Sequence, residues 1–102
     1  MNQAYLSLGS NIFPDHNLPT AVIMLENYGS ITIASSVWET IALGDIEQPN
    51  YLNAAVILET SLTAKSLHDN VIKHIEKSLG RKEISNRFAP RTIDIDIMLF
   101  ND

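Results

Sequence analysis

The chain contains no cysteine. That removes a disulfide framework, a thiolate metal centre and a cysteine nucleophile, and it accords with a reducing cytoplasm. Glycine is sparse, with four residues in all, and neither G-x-x-x-x-G-K-[ST] nor G-x-G-x-x-G occurs. A phosphate cradle built from glycine-rich backbone is therefore excluded. Apolar runs such as Ile97 to Phe100 fall far short of the ~20 residues that span a bilayer. The opening Met1-Asn2-Gln3-Ala4 lacks the charged n-region and long apolar h-region of a signal peptide. Neither a membrane nor a secreted protein is expected on these grounds. Lysine and arginine are missing from the first 64 positions, which hold six acids.

What is present fits one domain, residues 1–102, with 45% apolar residues and a single core. Seven basic and twelve acidic residues give a net charge of −5, which disfavours nucleic acid as a partner. All seven bases follow Ala64, and four of them (Arg81, Lys82, Arg87, Arg91) fall within eleven residues containing one acid, Glu83. Such a cluster on an acidic protein suits a small anionic ligand, although a solvated loop has the same composition.

Hydrophobic periodicity gives an element order. Ala4, Leu6 and Leu8 alternate as a strand, which the turn residues Gly9-Ser10-Asn11 would end. Leu18, Val22, Leu25 and Tyr28 recur as a helix over about 17–28, with Pro19 in its first turn and Gly29 at C′. Ser30 to Trp38 reads as a second strand with Trp38 in the core; a loop from Thr40 to Asn50 and a strand from Tyr51 to Leu58 follow. Thr63 caps a second helix with the stripe Leu67, Val71, Ile75 and Leu79, closed by Gly80. In a last strand, Arg91 to Phe100, Ile93, Ile95, Ile97 and Leu99 face one way and Asp94, Asp96, Met98 and Phe100 the other. The order β-α-β-β-α-β predicts a ferredoxin-like α+β sandwich, an antiparallel sheet with both helices on one face. The other face is the natural place for a site.

Asp94-Ile95-Asp96 is the sharpest chemical feature. Carboxylates at i and i+2 of a strand share a face ~6.5–7 Å apart and repel unless a cation intervenes. Mg²⁺ takes one or two carboxylates, waters and substrate phosphates. Alone, the pair also describes a solvated strand face; beside the Arg81–Arg91 cluster, metal plus phosphate is the better reading. Thr40 to Asn53 offers an apolar wall at Leu43, the Tyr51 phenol and the Asn53 amide, a mix that can grip a flat heteroaromatic. His16, His68 and His74 show no ligand spacing and read as surface or boundary residues, and no base accompanies Ser7, Ser10 or Ser35 in sequence.

The stretch Arg87-Phe88-Ala89-Pro90-Arg91-Thr92-Ile93-Asp94-Ile95-Asp96-Ile97-Met98 resembles the signature of the 6-hydroxymethyl-7,8-dihydropterin pyrophosphokinase family. Gln48 to Val56, Leu6 to Asn11, and Ile75-Glu76 followed by Gly80-Arg81 resemble further segments of that family, in order along the chain. The resemblance implies transfer of diphosphate from MgATP to the hydroxymethyl oxygen of the pterin, with release of AMP, in folate biosynthesis. By motif match, Asp94 and Asp96 would hold two Mg²⁺ ions, and Arg81 and Arg91 would neutralise phosphate charge. Glu76 and Ile97 would lie near the nucleotide, and Thr40, Leu43, Tyr51, Asn53 and the aromatic Phe88 would serve the pterin.

Several positions depart from the family pattern. Phe88 stands where tryptophan is common, Ala89 where glycine is common, Glu83 where a base is frequent, and Ile41-Ala42 in place of a proline pair. Family members also continue beyond the position of Asp102 into a segment that supplies further nucleotide and pterin contacts. Two expectations follow: a compact cytoplasmic enzyme acting on small molecules, or a truncated paralogue that binds pterin or nucleotide without turnover. Self-association is a further expectation, since a missing segment would bare apolar sheet surface. A ferredoxin-like RNA binder is disfavoured by the acidic charge and by the lack of paired aromatics on the central strands.

Overall fold

The computed structural model describes residues 1–42, 47–80 and 90–101. Its elements are β1 (Asn2–Ser10), α1 (Pro14–Leu25) with a 3₁₀ turn (Glu26–Tyr28), β2 (Ser30–Ala34), β3 (Trp38–Thr40) and β4 (Tyr51–Thr60). A second helical rod then runs as α2 (Ala64–Ser66), a π-helical stretch (Leu67–Ile72) and α3 (Lys73–Ser78), before β5 (Asp94–Phe100). The described strands form one antiparallel sheet in the order β2-β4-β1-β5, with β3 also paired to β4. This is the ferredoxin-like arrangement that the sequence pattern predicts.

One sheet face carries the core. Ala4, Leu6 and Leu8 of β1, Ala54, Val56 and Leu58 of β4, and Ile95 of β5 are buried with Leu18, Ala21 and Leu25 of α1. Leu67, Val71, Ile72 and Ile75 of the second rod complete the same cluster. Each valine, leucine or isoleucine of this cluster contributes roughly 1.5–3 kcal/mol when fully buried. Period-two alternation along β1 and β4 therefore turns Tyr5, Ser7, Gly9, Tyr51, Asn53, Ala55 and Ile57 to the opposite, open face.

Several boundaries differ from the sequence reading, each for a physical reason. β1 runs on through Gly9 and Ser10, because both residues pair with β4. Helix α1 starts at Pro14, which occupies its first turn, so Pro19 lies inside the helix on its exposed side. The predicted second strand is two pieces on one edge. Ser35 spans the gap, its N–H donating to the Ala55 carbonyl (2.8 Å) and its Oγ accepting from the Ala55 N–H (2.8 Å). Trp38, expected in the core, is 44% exposed because β3 is a three-residue edge strand beside the open face. Gly29 is extended rather than left-handed; a Cβ there would lie 2.2 Å from the Glu59 carbonyl oxygen of β4.

The second rod has the cap and the stop that its sequence predicts, but a π-helical stretch interrupts the expected α-helix and Ile72 joins Val71 in the core. Thr63 Oγ1 accepts the Ser66 N–H (3.1 Å), and Gly80 closes the rod at φ 87°. On its solvent side, Asp69 accepts from Lys65 (2.9 Å) and lies 2.8 Å from His68 Nδ1. The Lys65 hydrogen bond, more than His68, holds the Asp69 carboxyl below its usual range. All three histidines are exposed, as expected.

The end of β5 holds the largest departure. The β1–β5 register shifts between Tyr5 and Leu6, so Leu6 pairs with Ile97 while Tyr5 pairs with Leu99 and Ala4 with Phe100. Met98 is the extra residue of a β-bulge. The bulge inverts the faces beyond it: Leu99 is 52% exposed, whereas Phe100 packs against the core.

Candidate active site on the open sheet face

Strand register brings the sequence-predicted polar residues to one face. Directly paired residues of an antiparallel sheet share a face. The pairs Trp38–Asn53, Asn53–Gly9 and Gly9–Asp94 therefore make one row across β3, β4, β1 and β5. Ala55, Ser7 and Asp96 make the adjacent row, and Thr40 pairs with Tyr51 on the other side. Asp94 and Asn53 are thus two strand spacings apart, on the order of 10 Å.

The amide of Asn53 has a fixed orientation. Its Nδ2 donates to the Trp38 carbonyl (3.1 Å) and to Thr40 Oγ1 (3.0 Å). A carbonyl can only accept, so Oδ1 is the atom turned towards Gly9. A Cβ at Gly9 would lie 3.2 Å from Asn53 Oδ1 and 3.5 Å from Tyr51 Cδ2. Glycine here leaves room for an amide acceptor and a phenol ring to lie side by side. Next to these rows the face becomes apolar, with a hollow of about 350 Å³ bordered by Tyr5, Ile33, Ile57, Met98 and Leu99.

On the β5 side, Asp94 is half-buried and Asp96 exposed. Among the described residues no third carboxylate or histidine joins them in a metal-binding group. Two hard oxygen donors at this spacing fit Mg²⁺, whose remaining positions go to water and substrate phosphate. Between the two aspartates, the Ile95 N–H donates to Glu76 Oε2 (3.1 Å), and Lys73 Nζ lies 4.0 Å from Glu76 Oε1. Glu76 is only 5% exposed. It therefore braces the outer edge of β5. Ile97, two residues on, has its backbone groups on that same outer edge.

Asn11, which its sequence context marks only as a turn residue, links the two sides. It is 2% exposed, its Oδ1 accepts the Arg91 N–H (2.8 Å), and its own N–H donates to the Arg91 carbonyl (3.0 Å). Its Nδ2 donates to Gln48 Oε1 (2.7 Å) and to the Pro49 carbonyl (3.1 Å). The segment leading into Tyr51 and the segment leading into Asp94 are thus fastened to one side chain. Its sequence signals are an asparagine at a strand end and a place in the family-like segment Leu6 to Asn11. Leu43, Arg81 and Phe88 lie outside the described residues.

A family model described as 7,8-dihydro-6-hydroxymethylpterin-pyrophosphokinase matches residues 5–101. The chain belongs to this family. A 2-amino-4-hydroxy-6-hydroxymethyldihydropteridine pyrophosphokinase of Bacillus subtilis is 41% identical over 98% of this chain and 60% of its own length. The enzyme of the same name from Aquifex aeolicus is 40% identical over 100% of the chain and 63% of its own length. A folate synthesis bifunctional protein of Arabidopsis thaliana is 37% identical over 96% of the chain and 20% of its own length. The chain thus spans about three-fifths of the bacterial pyrophosphokinases it matches. Among its described residues, no helix is long and apolar enough to cross a membrane.

Proposed function

We propose that this pyrophosphokinase-family chain transfers diphosphate from MgATP to 6-hydroxymethyl-7,8-dihydropterin, releasing AMP, in the cytoplasm. The observation that carries the reading is the shared open face: Asp94 and Asp96 stand in the same rows as Asn53 and Ser7. In this reading Tyr51, Asn53 and Thr40, with Leu43 and Phe88, hold the pterin. The fixed Asn53 Oδ1 accepts from a ring N–H, and the exposed Trp38 indole adds an aromatic wall.

The nucleotide lies along β5, where the outward backbone of Ile97 can pair with a base edge, while Arg81 and Arg91 meet the phosphates. Two Mg²⁺ ions held by Asp94 and Asp96 would supply charge neutralisation at the triphosphate. The chain's own part is positioning and electrostatics. Phosphoryl-type transfer needs an aligned hydroxyl and compensated charge more than a strong base. Glu76 serves this reading by bracing the strand between the two aspartates.

An AMP-release assay tests it. The chain should turn over MgATP with the hydroxymethyl pterin, and Asp94→Asn or Asp96→Asn should each lower the rate by about a hundredfold or more. Turnover that survives both substitutions would contradict the metal assignment. The acid Glu83, at a position where the family frequently has a base, supports a second reading, a pterin- or nucleotide-binding module without turnover. Calorimetric binding of both ligands with no AMP release at high enzyme concentration would favour that one.

A further inference from the structure

β2 is an outer strand of the sheet, and the run from Asn27 to Trp38 that contains it has no charged residue and no proline. Charge and proline are common means of keeping an edge strand from pairing with another chain. The β5 edge, by contrast, carries Asp94 and Asp96, and Glu76 takes the Ile95 N–H. On the β2 side, the Ser35 N–H turns inward to Ala55, so the backbone groups of Ala34 beside it point outward. A register slip between Ile31 and Ile33 leaves the run from Ile33 to Val37 for a new ladder.

This edge also has an apolar hollow on each side. Ile33 and Ser35 border the hollow of about 350 Å³ on the open face. Ser35 and Val37, with Leu18, Val22 and Ile23 of α1, border a second of about 310 Å³ on the helix-covered face. Ile23, Ile33 and Val37 are each more than half exposed. A strand laid against the edge sends alternate side chains to the two faces and so fills both hollows at once. A compact ligand fills only one.

We infer that two copies of this chain associate through the β2 edge, antiparallel about a twofold axis, into one continuous sheet. The run from Ser30 to Val37 is itself uncharged and β-rich, and it offers Ile33 and Val37 to the partner's hollows. Twofold pairing sets this run against itself, so no like charges meet. Eight residues of edge, ~27 Å long and backed by sheet and helix layers ~20 Å deep, bury roughly 1,000 Å² between two copies. That lies at the lower end of specific interfaces and suits association in the micromolar range. The inference does not rest on the catalytic reading.

Sedimentation velocity of the whole chain from about 1 to about 500 µM tests this. The mass should rise from 11.4 kDa towards twice that value. Each copy carries a charge of −5, so added salt should tighten the dimer by screening their repulsion. Backbone amides from Ile33 to Val37 should exchange hydrogen more slowly at the high concentration than at the low one. Ile33→Lys should weaken association by about tenfold or more. Its urea midpoint at low concentration should stay unchanged, because Ile33 is 61% exposed. Met98→Lys, across the open-face hollow on β5, should leave association within about twofold. A mass of 11.4 kDa at every concentration would overturn the inference. So would a dimer that salt weakens, or one whose slowed exchange lies only on other strands. A dimer lost in Met98→Lys and kept in Ile33→Lys would overturn it too, because that marks stacked open faces.

Discussion

Asn11 shows how much one buried side chain can organise. Its amide joins residues 37, 38 and 80 positions away in sequence, and no local pattern encodes such separations. What the sequence offered was an asparagine following a strand, which by itself suggests a turn. Replacing Asn11 with alanine removes three hydrogen bonds and leaves the Arg91 N–H without its acceptor. The expected loss is about 2–4 kcal/mol, read as a lower urea midpoint at unchanged slope. Unchanged stability would mean that the two segments are held by other contacts. Asp94 and Asp96, by contrast, were legible at once. Strict alternation from Ile93 to Ile97 makes any strand through these residues turn both carboxylates away from the core.

Among the elements, the second rod and the inner strands follow their periodicity because each buries a continuous stripe. The edges do not. An edge strand has one neighbour, so a break or bulge disturbs only one ladder, and apolar patterning does not record it. That is why one predicted strand became β2 and β3, joined through Ser35, and why the faces of Leu99 and Phe100 were exchanged by Met98. The exchange has a direct consequence. Phe100→Ala should cost about 2–4 kcal/mol, because Phe100 packs on the core. Leu99→Ala should cost under about 1 kcal/mol, since that residue is 52% exposed. Paired denaturation curves check this, and the reverse order would restore the unbulged alternation.

For the molecule as a whole, the same antiparallel register that closes the core also assembles the open face. Elements distant in sequence deliver Trp38, Asn53, Gly9 and Asp94 to one row. Periodicity leads to the fold and the two aspartates; residue chemistry marks Leu43, Tyr51 and Asn53 as a candidate site for a flat heteroaromatic, and only the family resemblance makes that ligand a pterin. The central claim is that one face receives both substrates, the pterin across β3, β4 and β1 and the nucleotide along β5. Amide and indole NMR shifts of the ¹⁵N-labelled chain test it most directly, recorded during titration with the pterin and then with Mg²⁺ and a non-hydrolysable ATP analogue. The account predicts that pterin moves Gly9, Trp38, Tyr51 and Asn53, and that the nucleotide moves Asp94, Asp96 and Ile97. Shifts confined to the helix-covered side, at residues such as Leu18 and Val71, would contradict it.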